Sequence, residues 1–381
     1  MPRELEVATI VQQHAVGAFS LQIDSAPAPR EIAEWDQLVR TIPGTDVTQL
    51  SAWARVRALV GYSPLYLFVR QEGRLVGGGQ LLYRRVLGMG RVGYVPYGPV
   101  VARDSQAAGV TGLLAKVLRH LGARRFRALF VQPAEGDDEL RANALSLGFR
   151  PSRVAIAPVG SLRIDVQVDE AELRARARRR LRSAQKLWDK HRVSVREGSE
   201  RDLPILARLL TCTAKVHGFE PYKLDYLQKL YSELAPAGQV VLLIGEADGV
   251  PLVADLLTVN ADMLRGRLVG FDRSGRAPQT AVPAAVTWAG INWARNHRLR
   301  WYDLGGLSGA VLSDMLDRGL RHSPDWSSSA LAKLGWGGTP FRYPAPVELV
   351  RPRSLRLAHE FLQESPVIRS LMTKVSARLR G

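Results

Sequence analysis

Cysteine is almost missing from this chain. The one thiol is Cys212, so no intrachain disulfide can form, and a reducing compartment is expected. Long apolar runs are missing too. Stretches such as "VVLLIG" fall well short of the roughly 20 residues that a bilayer-spanning helix needs. The opening "MPRELEVATI" has no basic segment leading into an apolar run, so no secretory signal is read there. A cytoplasmic protein is the expectation. Catalytic motifs are equally thin. His-rich or Cys-x-x-Cys metal spacing is absent, and no serine sits in a nucleophile-elbow context with His and Asp partners. Cys212 and His217 stand five apart on an expected helix and do not face each other. No metal and no cofactor are expected. Acidic residues are in the minority: 36 Asp and Glu against 53 Lys and Arg, a formal net charge of +17. That imbalance favours polyanionic partners such as nucleic acid, anionic headgroups or phosphorylated substrates.

What is present is an ordinary globular composition, 46% hydrophobic over 381 residues, enough for two or three domains. Residues 1–29 carry little pattern, and "SAPAPR" reads as a linker. Glu31 to Val39 and Leu50 to Val60 read as helices. "LYLFVRQEGRLVGGGQLLYRR" reads as strand, Glu72-Gly73 turn, strand. The strand "RVGYVPYGPVV", a helix from about Gln106 to Leu121 and the strand "RALFVQP" follow. The second half repeats this order. "QVVLLIGEADGVPLVADLLTV" turns at Asp248-Gly249, "RGRLVGFD" is the next strand, a helix spans about Ala281 to Asn296, and "LRWYDLGG" closes the set. Repetition at this scale predicts two similar α/β domains, each a mainly antiparallel mixed sheet flanked by helices. The element order resembles the acyl-CoA N-acetyltransferase fold. Such enzymes cradle the CoA pyrophosphate in an Arg/Gln-x-x-Gly-x-Gly/Ala turn at a helix N-terminus. The one literal match, "RVLGMG" (Arg85 to Gly90), lies between two strands with no helix after it, and reads as a hairpin turn.

The densest positive charge is "LRARARRRLRSAQKLWDKHR", Leu173 to Arg192. On a helical wheel Leu173, Ala177, Leu181, Ala184 and Trp188 form one stripe, with arginine and lysine over the rest. Taken alone, this is an amphipathic helix with either a solvated basic face or a phosphate-binding one.

Six short segments, in order, are similar to the FemABX family of tRNA-dependent aminoacyltransferases that extend peptidoglycan precursors. They are "VTQLSAWARVR" (Val47 to Arg57), "YVPYGPVV" (Tyr94 to Val101), the basic helix running into "HRVSVREG", "AKVHGF", "YDLGG" (Tyr302 to Gly306) and "LAKLGWGG" (Leu331 to Gly338). The resemblance implies two acetyltransferase-like (GNAT-like) domains. The first, 1–158 completed by 341–381, takes the acceptor side; the second, 159–340, takes the aminoacyl-tRNA side. No long heptad pattern runs from Lys190 to Leu203, so no coiled-coil arm is expected.

The resemblance also implies roles. Lys333 stands where the family's aminoacyl ester binds and is the expected catalytic residue. Trp336 either packs on the terminal adenine or fills core. Arg55 and Arg57 stand near the family's pyrophosphate-binding lysine, with Tyr222 or Lys223 where its arginine partner would be. Tyr97 replaces a usual basic residue, which leaves the acceptor open between nucleotide-linked, lipid-linked and small-metabolite amines. Asp303 can orient an amine or serve the fold. On the basic helix Arg178, Arg179 and Arg182 are the candidate tRNA-phosphate contacts, because phosphate neutralisation needs Arg and Lys rather than base readout. "SPVIRSLMTKVSARLRG", the C-terminal stretch, predicts an amphipathic helix from Ser365, for packing on the first domain or for peripheral membrane contact. A CoA-dependent N-acyltransferase and a non-catalytic RNA-binding protein remain the alternatives.

Overall fold

The computed structural model describes residues 12–16, 18–103, 106–154 and 156–356. The chain divides into two compact units: Met1–Ala157 with Pro344–Arg380, and Pro158–Tyr343. The expected helix from Ser365 and the membrane contact assigned to it lie outside the described residues. Among those residues no helix is long and apolar enough to cross a membrane.

Unit one opens with β1 (Gln12–Val16) and β2 (Phe19–Asp24), then α1 (Pro29–Thr41) and α2 (Ser51–Ala58). Next come β3 (Ser63–Gln71), β4 (Arg74–Val86), β5 (Gly90–Val95), the two-residue β6 (Val100–Val101), α3 (Ala107–Arg124), β7 (Ala128–Val131), α4 (Asp138–Ser146) and β8 (Arg150–Pro151). The β3–β4 turn puts Glu72 at φ 50 and Gly73 at φ 81, the paired left-handed residues of a type I′ hairpin. "RVLGMG" is indeed a hairpin tip, joining β4 to β5. The α3 positions Val110, Leu114, Leu118 and Leu121 fall on one face, buried against Leu65, Leu67, Leu81, Val95, Leu129 and Val131 of the sheet.

Two expectations change here. Residues 19–24 are a paired strand, not a patternless lead-in: β2 runs antiparallel to β3 from Phe19↔Gln71 to Asp24↔Tyr66, with Leu21 and Ile23 in the core. "YVPYGPVV" is not one strand. Pro96 and Pro99 remove ladder donors and Tyr97 sits at φ 48, so β5 ends at Val95 and β6 pairs instead with β4.

Unit two contains β9 (Gly160–Asp165), α5 (Glu170–Arg176), α6 (Arg178–Lys190), β10 (Ser194–Glu197), α7 (Leu203–His217) and α8 (Leu224–Leu234). It continues with β11 (Val240–Ala247), β12 (Val250–Asn260), β13 (Met263–Phe271), α9 (Arg276–Thr280), α10 (Val282–Asn296), β14 (Trp301–Gly306), α11 (Gly309–Leu316), α12 (Ser328–Leu334) and β15 (Thr339–Arg342). Its sheet order is β10-β11-β12-β13-β14-β9-β15. The basic segment is two helices rather than one, meeting at Ala177. The apolar stripe is as read: Leu173, Ala177, Leu181 and Ala184 are buried and Trp188 packs beside them.

After unit two the chain returns as β16 (Val347–Val350), which inserts between β7 and β8 of the first sheet. That sheet reads β1-β2-β3-β4-β5-β7-β16-β8, with β6 on β4. The two units share more than element order. Each has one parallel step across a helix, β5 to β7 and β13 to β14. Each hairpin turns on two positive-φ residues, Glu72-Gly73 and Asp248-Gly249. Each also carries a register shift at the same distance before that turn, at Val69/Arg70 and Gly245/Glu246.

Candidate active site

The strand β14 carries "YDLGG", and its end is built around Asp303. That side chain is 1% exposed. Arg265 Nε lies 3.2 Å and Arg163 Nε 3.7 Å from its Oδ2. Its Oδ1 accepts from Gly305 N at 2.9 Å and from the Ser161 hydroxyl. The arginines are themselves pinned. Arg163 lies 3.6 Å over the Phe341 ring, and Arg265 Nη2 donates to Tyr343 Oη at 2.5 Å. Both oxygens of Asp303 are thus held by groups of its own unit.

Gly305 follows with φ 81, a conformation glycine adopts without strain. The turn presents the carbonyls of Gly305 and Gly306 to Lys333, whose Nζ donates to them at 3.1 and 2.8 Å. Lys333 sits in the last turn of α12. Ser327 caps that helix by accepting from Ala330 N at 3.2 Å. Its apolar side packs Ala330, Leu331 and Leu334 on Leu162, Leu307, Leu312 and Trp326. The lysine is thus half-buried on a short, well-anchored helix. Burial pulls its ammonium below the usual lysine pKa, while Asp303 and Asp255 pull the other way.

Asp255, on β12, is the residue that sequence reading missed. It lies in an apolar strand, "VPLVADLLTV", where no neighbour in sequence hints at a partner. The side chain is half-buried, and its Oδ1 is shielded from solvent with no hydrogen-bond partner among the described residues. Burial pushes its carboxyl up to about 7, opposed by the charge of Lys333. Asp255 in turn raises the buried Tyr302 phenol, after burial itself. The arrangement is a carboxyl and an ammonium, both partly desolvated, beside a strand end. It can hold an oxyanion and take up a proton near neutral pH.

A pH dependence follows. The folded carboxyl titrates above its unfolded value, so the stability linked to Asp255 is complete below the unfolded pKa and is lost as pH rises through about 7. Most of the loss falls between the unfolded value and about 7: from pH 5 to 6 it is about 1 kcal/mol, a Tm fall of roughly 2–4 °C for a unit of this size, and above pH 8 it levels off. Asp255→Asn should flatten that fall. A variant melting curve with the same pH slope would place the titration elsewhere.

The other expected site residues divide between the units. In unit two, Trp336 is 3% exposed and stacks on Trp288 at 6.4 Å. Tyr222 is half-buried and stacks on Tyr226 at 4.9 Å; Lys223, at the start of α8, is exposed. Arg178, Arg179 and Arg182 lie on α6, and their side chains are outside the described set. In unit one, Arg55 and Arg57 are not interchangeable. Two apart on α2, they point to different sides. Arg55 is exposed and bonds Ser51 Oγ at 3.1 Å, whereas Arg57 is fully buried under the Tyr62 ring at 4.7 Å. Arg57 is thus a buried cation in this structure, and Arg55 is the member of the pair that faces water. Tyr97 is 3% exposed. Its segment is clamped by Gln49, whose Nε2 donates to Pro96 O at 2.7 Å while its Oε1 accepts from Gln80 N at 2.8 Å.

Comparison with known proteins gives consistent relatives. Residues 171–311 match the acetyltransferase (GNAT) domain family. The lipid II:glycine glycyltransferase of Staphylococcus haemolyticus is 26% identical over 235 residues, covering 58% of this chain and 56% of that protein. The chain thus spans about half the length of the curated relatives it matches. The crystal structure of FemX superposes with a TM-score of 0.72 at 18% identity, covering 86% of this chain and 98% of that one. A tandem GNAT protein from the clavulanic acid pathway gives 0.51 at 11% identity, with 86% and 98% coverage. Two GNAT-like units, the six segments in register and these relatives together make the chain similar to the FemABX family.

Proposed function

We propose that the chain is an aminoacyltransferase that moves an amino acid from aminoacyl-tRNA to an amine of a peptidoglycan precursor, with lipid-linked precursor as the leading acceptor. The observation that carries this reading is the Lys333 ammonium, held by two strand-end carbonyls beside Asp255. An aminoacyl ester is already activated, so alignment and oxyanion stabilisation account for most of the catalysis. The acceptor nitrogen attacks the ester carbonyl carbon, and Lys333 meets the negative charge that develops on its oxygen. The carbon–oxygen bond to the ribose breaks, an amide forms, and the ribose hydroxyl leaves with a proton. Asp255 is the proposed acceptor for the proton that the amine gives up. Unit two takes the donor side and unit one the acceptor side, where Arg55 is the exposed cation suited to phosphate. The lipid-linked acceptor is supported by the name of the curated relative.

The deciding experiment incubates the protein with charged tRNAs and with lipid-linked or nucleotide-linked precursor, and identifies products by mass. A product heavier by one amino acid residue, with release of uncharged tRNA, is expected. Binding of acetyl-CoA with indifference to charged tRNA would overturn the reading. In the same system, replacing Arg178, Arg179 and Arg182 with alanine should weaken tRNA binding. For every arginine that had neutralised a phosphate, its removal should flatten the salt dependence by about one unit of slope.

A further inference from the structure

One end of the sheet in unit one combines charge and apolar exposure in a way the transfer chemistry does not use. Four segments meet there: 57–63 entering β3, 84–91 at the β4–β5 hairpin, 119–128 at the end of α3 and the start of β7, and 350–356 leaving β16. The contacts are continuous. Ser63 faces Tyr83, Arg85 faces Arg91, and Val92 and Val350 both face Ala128. Arg127 N donates to Arg91 O at 2.8 Å and Arg351 N to Arg127 O at 2.7 Å. The Arg84 guanidinium lies 4.9 Å over the Tyr62 ring, tying the hairpin to the first segment.

Along this edge Arg85, Arg91, Arg124, Arg127, Arg351 and Arg353 are all exposed. None of the four segments contains Asp or Glu. Between the arginines stand large aliphatic side chains that folding would normally hide. Leu87, at the hairpin tip, is 103% exposed; Leu59, Val60 and Met89 are 52, 40 and 38% exposed. Exposed apolar side chains grouped within a ring of cations mark an interaction site rather than a solvated surface.

We infer that this edge docks on an anionic lipid bilayer, the hairpin tip entering the headgroup region while the arginines meet the phosphates. Charge alone would suit RNA as well. The apolar tip decides between them, because single-stranded RNA is gripped by exposed aromatic rings, and Tyr62 and Phe126 of these segments are buried. Leucine and methionine at the end of a β-hairpin instead gain by leaving water for acyl chains, and each nearby arginine adds attraction to anionic headgroups.

The test uses the full-length protein and vesicle flotation, and needs neither donor nor acceptor, so it stands apart from the proposed activity. Vesicles are phosphatidylcholine alone or phosphatidylcholine mixed with phosphatidylglycerol. The protein should float with the mixed vesicles only, and salt should release it. Leu87→Ser with Met89→Ser should weaken binding about tenfold or more, with little change in melting temperature because Leu87 is fully and Met89 more than a third exposed. Arg85→Ala and Arg91→Ala should each weaken it about fivefold. Flotation of the double serine variant at the wild-type level would overturn the inference. So would arginine variants that lose tRNA binding while keeping vesicle binding, which would assign the edge to RNA.

Discussion

Lys333→Ala is expected to cut single-turnover transfer from charged tRNA on the order of a hundredfold, the usual consequence of removing one preorganised oxyanion donor. The structure sharpens the reason. An ammonium has three N–H groups, and two are committed to Gly305 O and Gly306 O, which fixes the direction of the third. A lysine free to rotate would spend entropy to adopt that pose; this one has it before substrate arrives. The stability cost should be small, about 1–3 kcal/mol for two carbonyls left without a donor. Lys333→Arg should rescue poorly, since a planar guanidinium cannot reproduce a compact donor against two adjacent carbonyls. Transfer and thermal unfolding measured side by side separate the roles. Near-normal transfer by the alanine variant would leave Lys333 as a strut between α12 and β14 and would remove it from the chemistry.

Asp303→Ala is expected to be among the most destabilising single changes in unit two, by about 3–5 kcal/mol. It would leave Arg163 and Arg265 as buried cations deprived of their shared carboxylate, and Gly305 N without its acceptor, while Ser161 keeps only the Gly305 carbonyl at 2.6 Å. Asp303→Asn should fall between, because the amide keeps an oxygen for Gly305 N but not the charge. Urea unfolding followed by circular dichroism reads this directly. A loss under about 1 kcal/mol for the alanine variant would mean that the two arginines find other compensation, and that the strand end does not depend on this ion cluster. Because Lys333 is held in part by the carbonyl of Gly305, whose N–H Asp303 fixes, activity should fall together with the fold in Asp303→Ala.

The two-unit α/β plan is visible in the sequence because its strongest signals are local. Glu72-Gly73 and Asp248-Gly249 are turn chemistry, and the α3 and α10 segments show apolar periodicity in themselves. What escapes is set by pairing at a distance. "FSLQID" alternates apolar and polar, but a strand that short gains its meaning only beside β3. Lys333 is marked by resemblance, and its place beside the β14 end comes only with the structure. Asp255 is invisible in sequence because what makes it unusual is burial, and burial is a property of the packed sheet. Arg55 and Arg57 look equivalent until α2 is docked, when one faces water and the other the Tyr62 ring.

The position of β16 has a consequence for the order in which a ribosome can complete this protein. Unit two is drawn from one uninterrupted stretch, Pro158–Tyr343, so all of its strands have been synthesised before Val347 is added. The sheet of unit one lacks the strand between β7 and β8 until then. Chains usually fold N-terminal domain first during synthesis. Here the inserted unit is the first that can finish. The earlier-made unit must wait with the edges of β7 and β8 open, exposed to wrong pairing of the kind that unprotected strand edges invite.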